Sequence, residues 1–261
     1  MRIIIIALFL LSSCATIDSS KGNLKEEQLY PDLVVNPKNI INLNLSSDYE
    51  EAEIVCNHSF SKRIKRIRKK FSVIAPNKVG LYKCVVKTKK QGRFYSEGDF
   101  RILVSTKSSP SIIVDIDHTI ADVSSLKFLV SDYKEIRELP DASKYLNLLA
   151  KKYQVIYLTA RNDVFREHTM KWLGHNNFPE GPVLFWTIKD YPFFDSEYKK
   201  LRVSMVKDKI SNIKFAVGDK DSDITAYTFN KLNTIIIRKD FEAQKDVTFV
   251  RSWNDIYKMF Y

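Results

Sequence analysis

Ser111-Ile112-Ile113-Val114-Asp115-Ile116-Asp117-His118-Thr119 is the stretch from which the fold is read. Ser111 to Ile116 is nearly continuous in apolar side chains, the composition of a strand buried on both faces, and it runs into two carboxylates one residue apart. If the chain leaves its extended form there, Asp115 points into a cleft while the turn swings Asp117 to the other side of a substrate. One carboxylate can then attack while the other handles protons.

Further runs of the same texture follow at Val155 to Leu158, Lys214 to Val217 and Thr234 to Ile237. They alternate with helical patterns over Asp141 to Lys151, Asp163 to Leu173, Glu197 to Ile210 and Asp221 to Phe229. The alternation predicts an α/β unit with a parallel sheet covered by helices on both faces, spanning residues 108–261. Ligands of such sheets sit at the carboxyl ends of the strands. Three more chemical groups fall there. Tyr157-Leu158-Thr159-Ala160-Arg161 places a hydroxyl, and Tyr198-Lys199-Lys200 opens a helix whose apolar positions Val203, Val206 and Ile210 follow Lys199 at helical spacing. Gly218-Asp219-Lys220-Asp221-Ser222-Asp223 is an acidic loop suited to a hard cation. Taken singly, Asp219 and Asp223 could cap a helix and Thr159 could simply pack. His118 reads as an exposed, non-catalytic residue, and Arg161 and Asp221 as surface or scaffold, with Arg161 near enough to the site to touch a substrate.

In order, these four elements resemble the motifs of the haloacid dehalogenase superfamily: a DxDxT block, a strand-terminal Thr or Ser, a Lys, and a GDxxxD loop. The resemblance covers roughly residues 111–240 and implies a haloacid-dehalogenase-like Rossmannoid domain acting as a phosphomonoester hydrolase. It implies that Asp115 attacks phosphorus to form an aspartyl-phosphate, and that Asp117 protonates the leaving oxygen and then activates water. Thr159 and Lys199, chosen over Lys200 on the apolar periodicity, would hold the phosphoryl oxygens. Mg2+ would lie between the Asp115 carboxylate, the Asp117 main-chain carbonyl and Asp219, with Asp223 ligating it directly or through water. Asp117 favours a phosphatase or phosphomutase, because transport ATPases of the superfamily carry Thr at that position and dehalogenases lack the second Asp.

Only short connections separate Thr119 from Val155, too little for a large cap domain, and an uncapped site accepts bulky esters. Lys171-Trp172-Leu173 followed by Phe178-Pro179-Glu180-Gly181-Pro182-Val183-Leu184 resembles a stretch of lipin-like phosphatidate phosphatases, which favours a lipid phosphate as substrate. Two departures stand against that resemblance: His118 replaces the lipin Gly, and the lipin amino-terminal domain has no recognisable counterpart. Soluble esters, as for an acid phosphatase or nucleotidase, and polynucleotide phosphate ends form the alternative substrate class. A non-catalytic envelope-binding lipoprotein that keeps the fold as scaffold is the alternative from outside enzymology.

Amino-terminal to the decisive stretch, the texture changes at Lys107-Ser108-Ser109-Pro110, a polar junction ending in Pro. Residues 34–107 carry short apolar runs at Ile40 to Leu45, Ala52 to Cys56, Phe71 to Ile74, Leu81 to Lys87 and Phe100 to Val104, broken by Pro76-Asn77, Gly80, Gly92 and Gly98. This predicts a small all-β sandwich. Gly80-Leu81-Tyr82-Lys83-Cys84 resembles the tyrosine corner of immunoglobulin-like domains, with Tyr two residues before a Cys. Cys56 and Cys84 are a candidate disulfide, the alternative being two buried thiols.

Ile3 to Leu11 is the one long apolar run, too short to span a bilayer as a helix. With Arg2 before it and Ser12-Ser13-Cys14-Ala15 after it, it reads as a signal peptide over residues 1–13. The pattern resembles a bacterial lipobox, which implies lipidation of Cys14, a tether over residues 14–33 and a lipid-anchored place in a bacterial cell envelope, facing the periplasm or outer membrane. An ordinary cleaved signal peptide with Cys14 incidental is the alternative. The 261-residue chain carries a net charge of +11 with 44% hydrophobic and 12% aromatic residues, enough apolar side chain for a sizeable core and too much for a disordered chain. Much of the basic excess sits in Lys62 to Lys70. Anionic lipid head groups are a fitting partner, nucleic acid fits the same electrostatics without being favoured, and a solvated basic strand or loop needs no ligand.

Overall fold

In a computed structural model of the chain, the described residues are 30–45, 47–67, 70–124, 127–128, 131–187 and 195–261. The expected signal peptide, Cys14 and most of the tether lie outside them. The tether expectation ran to residue 33, and there the structure corrects it: Tyr30 is buried in an apolar core and Leu33–Val35 already forms strand β1.

The first half is all β. Strands β1, β3 (Tyr49–Cys56), β4 (Ser61–Ile67), β6 (Gly80–Lys90) and β7 (Arg93–Val104) make a five-stranded sheet in the order β1-β7-β6-β3-β4. Strands β2 (Ile40–Asn44) and β5 (Lys70–Ile74) pair antiparallel as a second, two-stranded sheet. Alternation along the strands turns Ile41, Leu43, Phe71 and Val73 of the small sheet onto Ala52, Ile54, Val86 and Phe100 of the large one, and these residues share one core. Tyr82 donates its hydroxyl hydrogen to the carbonyl of Lys78 at 2.9 Å, the bond expected of a tyrosine corner. Cys56 and Cys84 form a disulfide. Its placement departs from the immunoglobulin pattern, because the two residues are direct cross-strand partners on β3 and β6 of one sheet and so do not join two sheets. Part of the basic cluster, read as a charge run, is the edge strand β4.

The second half is the parallel sheet that the alternation predicts, in the order β10-β9-β8-β11-β12-β13. Strands β8 (Ser111–Val114), β9 (Gln154–Asn162), β11 (Ile213–Gly218) and β12 (Thr234–Ile237) match the sequence runs. Strands β10 (Val183–Trp186) and β13 (Val247–Val250) add the two edges. Helices α1 (Ala142–Ala150), α2 (Arg166–His175), α3 (Asp195–Lys209), α4 (Asp221–Phe229) and α5 (Trp253–Phe260) complete the unit. One core gathers α1, α2 and α5 with residues from one face of the strands, and a second gathers α3 and α4 with the other face. Between Thr119 and α1 the described residues form bends and two isolated bridges, Asp117 with Ala121 and Ala121 with Glu138, and no further domain.

Asp32 joins the halves. Its carboxylate, fully buried, accepts from the Arg101 amide at 2.7 Å, from Arg166 of α2 at 2.7 Å and from the Val183 amide at 2.8 Å. A buried carboxylate with three donors is well compensated, and removing it strands a buried guanidinium and two amides. We expect Asp32→Ala to lower the unfolding free energy by about 3–5 kcal/mol, read from the urea midpoint. A loss below about 1 kcal/mol, the scale of an exposed pair, would show that Arg166 rearranges at little cost.

Candidate active site

Strand β8 delivers Asp115 to the carboxyl edge of the sheet, where its amide donates to Val217 of neighbouring β11 at 2.9 Å. The chain then turns sharply. Thr119, Ile120 and Ala121 all donate their amides to the Ile116 carbonyl, and His118 takes a positive φ of 55° and stays exposed, as its sequence reading expected. Thr119 donates its hydroxyl to Asp115 Oδ2 at 3.3 Å, and its own carbonyl accepts the Trp253 indole N–H at 2.7 Å, so α5 pins the turn.

Of the two adjacent lysines, Lys199 is the one that reaches the carboxylates. It is 1% exposed, and its ammonium donates to Asp115 Oδ1 at 2.9 Å and Asp223 Oδ1 at 2.6 Å. Lys200 is partly exposed and pairs with Glu197 on the same helix. Asp223 in turn accepts through Oδ2 from the Asp219 and Lys220 amides, both at 3.2 Å. That carboxylate folds over Gly218, where a Cβ would lie only 2.4 Å from Asp223 Cγ. The glycine of the acidic loop is therefore a space requirement of the site.

Ligand atoms of Asp115, Asp219 and Asp223 all lie within 4.8 Å of one another. Three carboxylates thus face one ammonium. Burial, and then its acidic neighbours against the attraction of Lys199, pushes Asp115 up to about 7; burial and Asp223 push Asp219 up to about 6. For Lys199 burial works against the charge, but the attraction of Asp115 and Asp223 outweighs it and holds the ammonium above the usual lysine range. Asp219 Oδ1 is buried and has no hydrogen-bond partner among the described residues. An orphaned carboxylate oxygen in an all-oxygen cluster with excess negative charge fits a hard divalent cation such as Mg2+.

Asp117 stands apart from this cluster and meets Arg161. Arg161, 3% exposed, donates to Asp117 Oδ1 at 2.7 Å through one terminal nitrogen and reaches both oxygens through Nε at 3.1 and 3.2 Å. Its other terminal nitrogen donates to Thr169 on α2 at 3.1 Å, and its guanidinium lies over the Phe128 ring. Of the two readings of Arg161, surface and scaffold, the burial and these bonds fit the scaffold. Arg161 is two residues beyond the Thr159 hydroxyl, which is fully buried and accepts from the Arg161 amide at 3.2 Å. The stretch that resembles lipin-like enzymes also proves to be packing. Trp172 is fully buried with its indole N–H on the Ile136 carbonyl at 2.9 Å, Phe178 lies against it, and Gly181 lets the chain pass the Val155 carbonyl, which a Cβ would approach to 2.2 Å.

A comparison with curated proteins finds no match. Among solved structures, chains of the Pnkp1/Rnl/Hen1 RNA repair complex are similar at 18% identity and a TM-score of 0.43, over 51% of this chain and 43% of that one. The core domain of a putative phosphoglycolate phosphatase from Streptococcus pneumoniae is similar at 15% identity and a TM-score of 0.36, over 60% of this chain and 98% of that one. The chain spans less than half the length of the first of these. Residues 112–241 match the family model described as PITM 1-3, LNS2 domain, and with the strand-end residues above this likeness supports a haloacid-dehalogenase-like phosphatase.

Proposed function

We propose that the protein is a Mg2+-dependent phosphomonoester hydrolase working through an aspartyl-phosphate on Asp115, with a lipid phosphate at a membrane surface as its substrate. The observation that carries the reaction type is the buried Asp115–Lys199–Asp223 chain beside the orphaned oxygen of Asp219. Lys199 orients Asp115 and supplies positive charge where phosphoryl oxygens gather, and the Thr159 hydroxyl donates to another of those oxygens. An Asp115 oxygen attacks phosphorus as the ester P–O bond breaks, and Asp117 gives its proton to the departing alkoxide. Asp117 then takes a proton from water, whose oxygen attacks the same phosphorus and releases Asp115 and inorganic phosphate. Arg161 is the positioning residue that aims Asp117.

Mg2+ would be held by Asp115, Asp219 and the Asp117 main-chain carbonyl, and it would neutralise charge on the transferring group. Asp223, with one oxygen on Lys199 and the other on two amides, would contact it through water.

The lipid part of the reading is supported by the LNS2 likeness, the lipobox-like sequence at Cys14 and the absence of an inserted domain over the strand ends among the described residues. It is tested by phosphate release from phosphatidate vesicles, nucleotides and an aryl phosphate, each with Mg2+ and with chelator. We expect Mg2+-dependent turnover of the aryl phosphate and faster turnover of phosphatidate than of nucleotides. Nucleotides consumed while vesicles are ignored would sink the lipid reading alone; no Mg2+-dependent turnover of any ester would sink the enzyme.

A further inference from the structure

The longest hairpin of the β half, β6–β7, is not used by the site. Its turn, Gln91-Gly92, has φ values of 50° and 77°, and Lys90 pairs with Arg93 across it, a tight two-residue connection that keeps the ribbon in register to its end. Toward that end the side chains are Lys87, Lys89, Lys90, Arg93, Phe94 and Tyr95. Phe94 is 44% exposed and Tyr95 38% exposed. Arg63 and Lys89 flank the Phe94 ring at 5.6 and 5.8 Å from its centre. Of the acids near the tip, Glu51 and Glu53 are both drawn to Arg63 and Glu50 accepts from the Gln91 amide of the turn at 2.8 Å, while Lys87, Lys89, Lys90 and Arg93 make no ion pair among the described residues.

Contacts along β7 fix where this ribbon points. At its foot, Ser105 donates to Gln154 at the start of β9. Four residues earlier Arg101 reaches the Gly181 carbonyl ahead of β10, and earlier still Asp99 lies 3.7 Å from Arg166, which opens α2 after the end of β9. Followed backward, β7 therefore climbs from the start of β9 to the level of Asp32 and the start of β10, in the direction of the edge that carries Asp115. The six steps from Asp99 to Arg93 add up to about 20 Å of strand, bent at the Glu97 bulge.

We propose that the β6–β7 hairpin tip is a membrane-docking element that seats its two aromatics and four cations in an anionic bilayer surface, on the side of the molecule toward which the strand ends around Asp115 face. Exposed aromatics ringed by cations at the end of the β6–β7–β3 sheet match the interfacial layer of a bilayer, where rings lie at head-group level and each cation adds attraction to anionic lipid. Binding a single-stranded nucleic acid calls instead for cations strung along a groove. The inference deepens the lipid-phosphate reading and rests on it for its purpose, but docking and hydrolysis are separable.

The test uses the full chain carrying Cys14→Ser, so that no acyl chain contributes, and vesicles of phosphatidylcholine with or without phosphatidylglycerol, neither of which is a phosphomonoester. We expect salt-sensitive partitioning onto the phosphatidylglycerol vesicles only. Replacing Lys89, Lys90 and Arg93 by Gln should weaken it about a hundredfold, and Phe94→Ser with Tyr95→Ser should weaken it several-fold. Lys89→Arg with Lys90→Arg should retain it. Turnover of the soluble aryl phosphate should be unchanged in every variant, which also shows that each has folded. Equal partitioning of the Gln variant and its parent would overturn the proposal, as would a parent that prefers single-stranded oligonucleotide to vesicles. Tip-dependent partitioning with phosphatidate left unhydrolysed would uphold docking and sink only the substrate reading.

Discussion

Asp115→Asn is expected to lower kcat on an aryl phosphate by about four orders of magnitude or more, as loss of a covalent nucleophile does. Stability should move the other way. Asp115 is 2% exposed among acidic neighbours, and its raised pKa of about 7 means that ionising it costs the metal-free fold free energy. The neutral amide avoids that cost, while Lys199 keeps Asp223 at 2.6 Å. We therefore expect the metal-free Asn variant to melt at or above the parent's temperature, by up to a few degrees, and to lose most of the Mg2+-induced rise in melting temperature. A variant that loses activity and also melts well below the parent would mark Asp115 as a packing residue. Retained activity would remove it from the chemistry altogether.

The groups that were legible in the sequence are those whose position follows from one local rule. Asp115 and Asp219 each sit just past the end of an apolar strand, Thr159 follows the apolar run of β9, which continues to Asn162, and Lys199 shows itself through the spacing of Val203, Val206 and Ile210 behind it. Gly218 belongs to the same kind, since a loop that brings Asp223 back to the Asp219 amide leaves no room for a Cβ. What stayed hidden depends on long-range contact. Arg161 and Asp117 are 44 residues apart, and nothing local to either says that they meet. An arginine after an apolar run reads as a solvated one, but β9 continues to Asn162 and carries Arg161 within it; the signal that could have singled it out is its place two residues after the buried Thr159. Asp32 was hidden for the same reason, an acid in an apparent tether whose three donors come from β7, α2 and the start of β10. The disulfide was legible as a pairing, while its placement within one sheet depended on the β3–β6 register, which cysteine spacing does not encode. Strands β10 and β13 escaped although β8 and β12 are no longer: β10 follows directly on the turn-like Pro179-Glu180-Gly181-Pro182, and β13 is a mixed run whose first three residues are only half-buried.

Lys199→Met carries the other large effect, and its sign depends on pH and metal. The substitution leaves Asp115 and Asp223 buried without their shared cation, which should cost the metal-free protein about 3–5 kcal/mol near neutral pH. In the parent, Asp115 at about 7 and Asp219 at about 6 lie above the ordinary carboxylate value of 3.8, so the folded state holds protons that the unfolded state has released. Their contribution to stability is full below the unfolded value and is lost as pH rises through the folded ones. Without Lys199 the carboxylates hold their protons to still higher pH. The deficit of the variant should therefore be small near pH 5 and grow to its full size by about pH 8. Mg2+ acts in the opposite sense, because it binds the ionised cluster and must displace its protons; its stabilisation of the parent should increase over the same interval. Urea midpoints of both proteins at the two ends of that interval, with Mg2+ and with chelator, test the linkage. A deficit that is flat with pH would mean that Lys199 only fills space, whereas one that grows with pH and shrinks on adding Mg2+ would show ammonium and cation compensating the same three carboxylates.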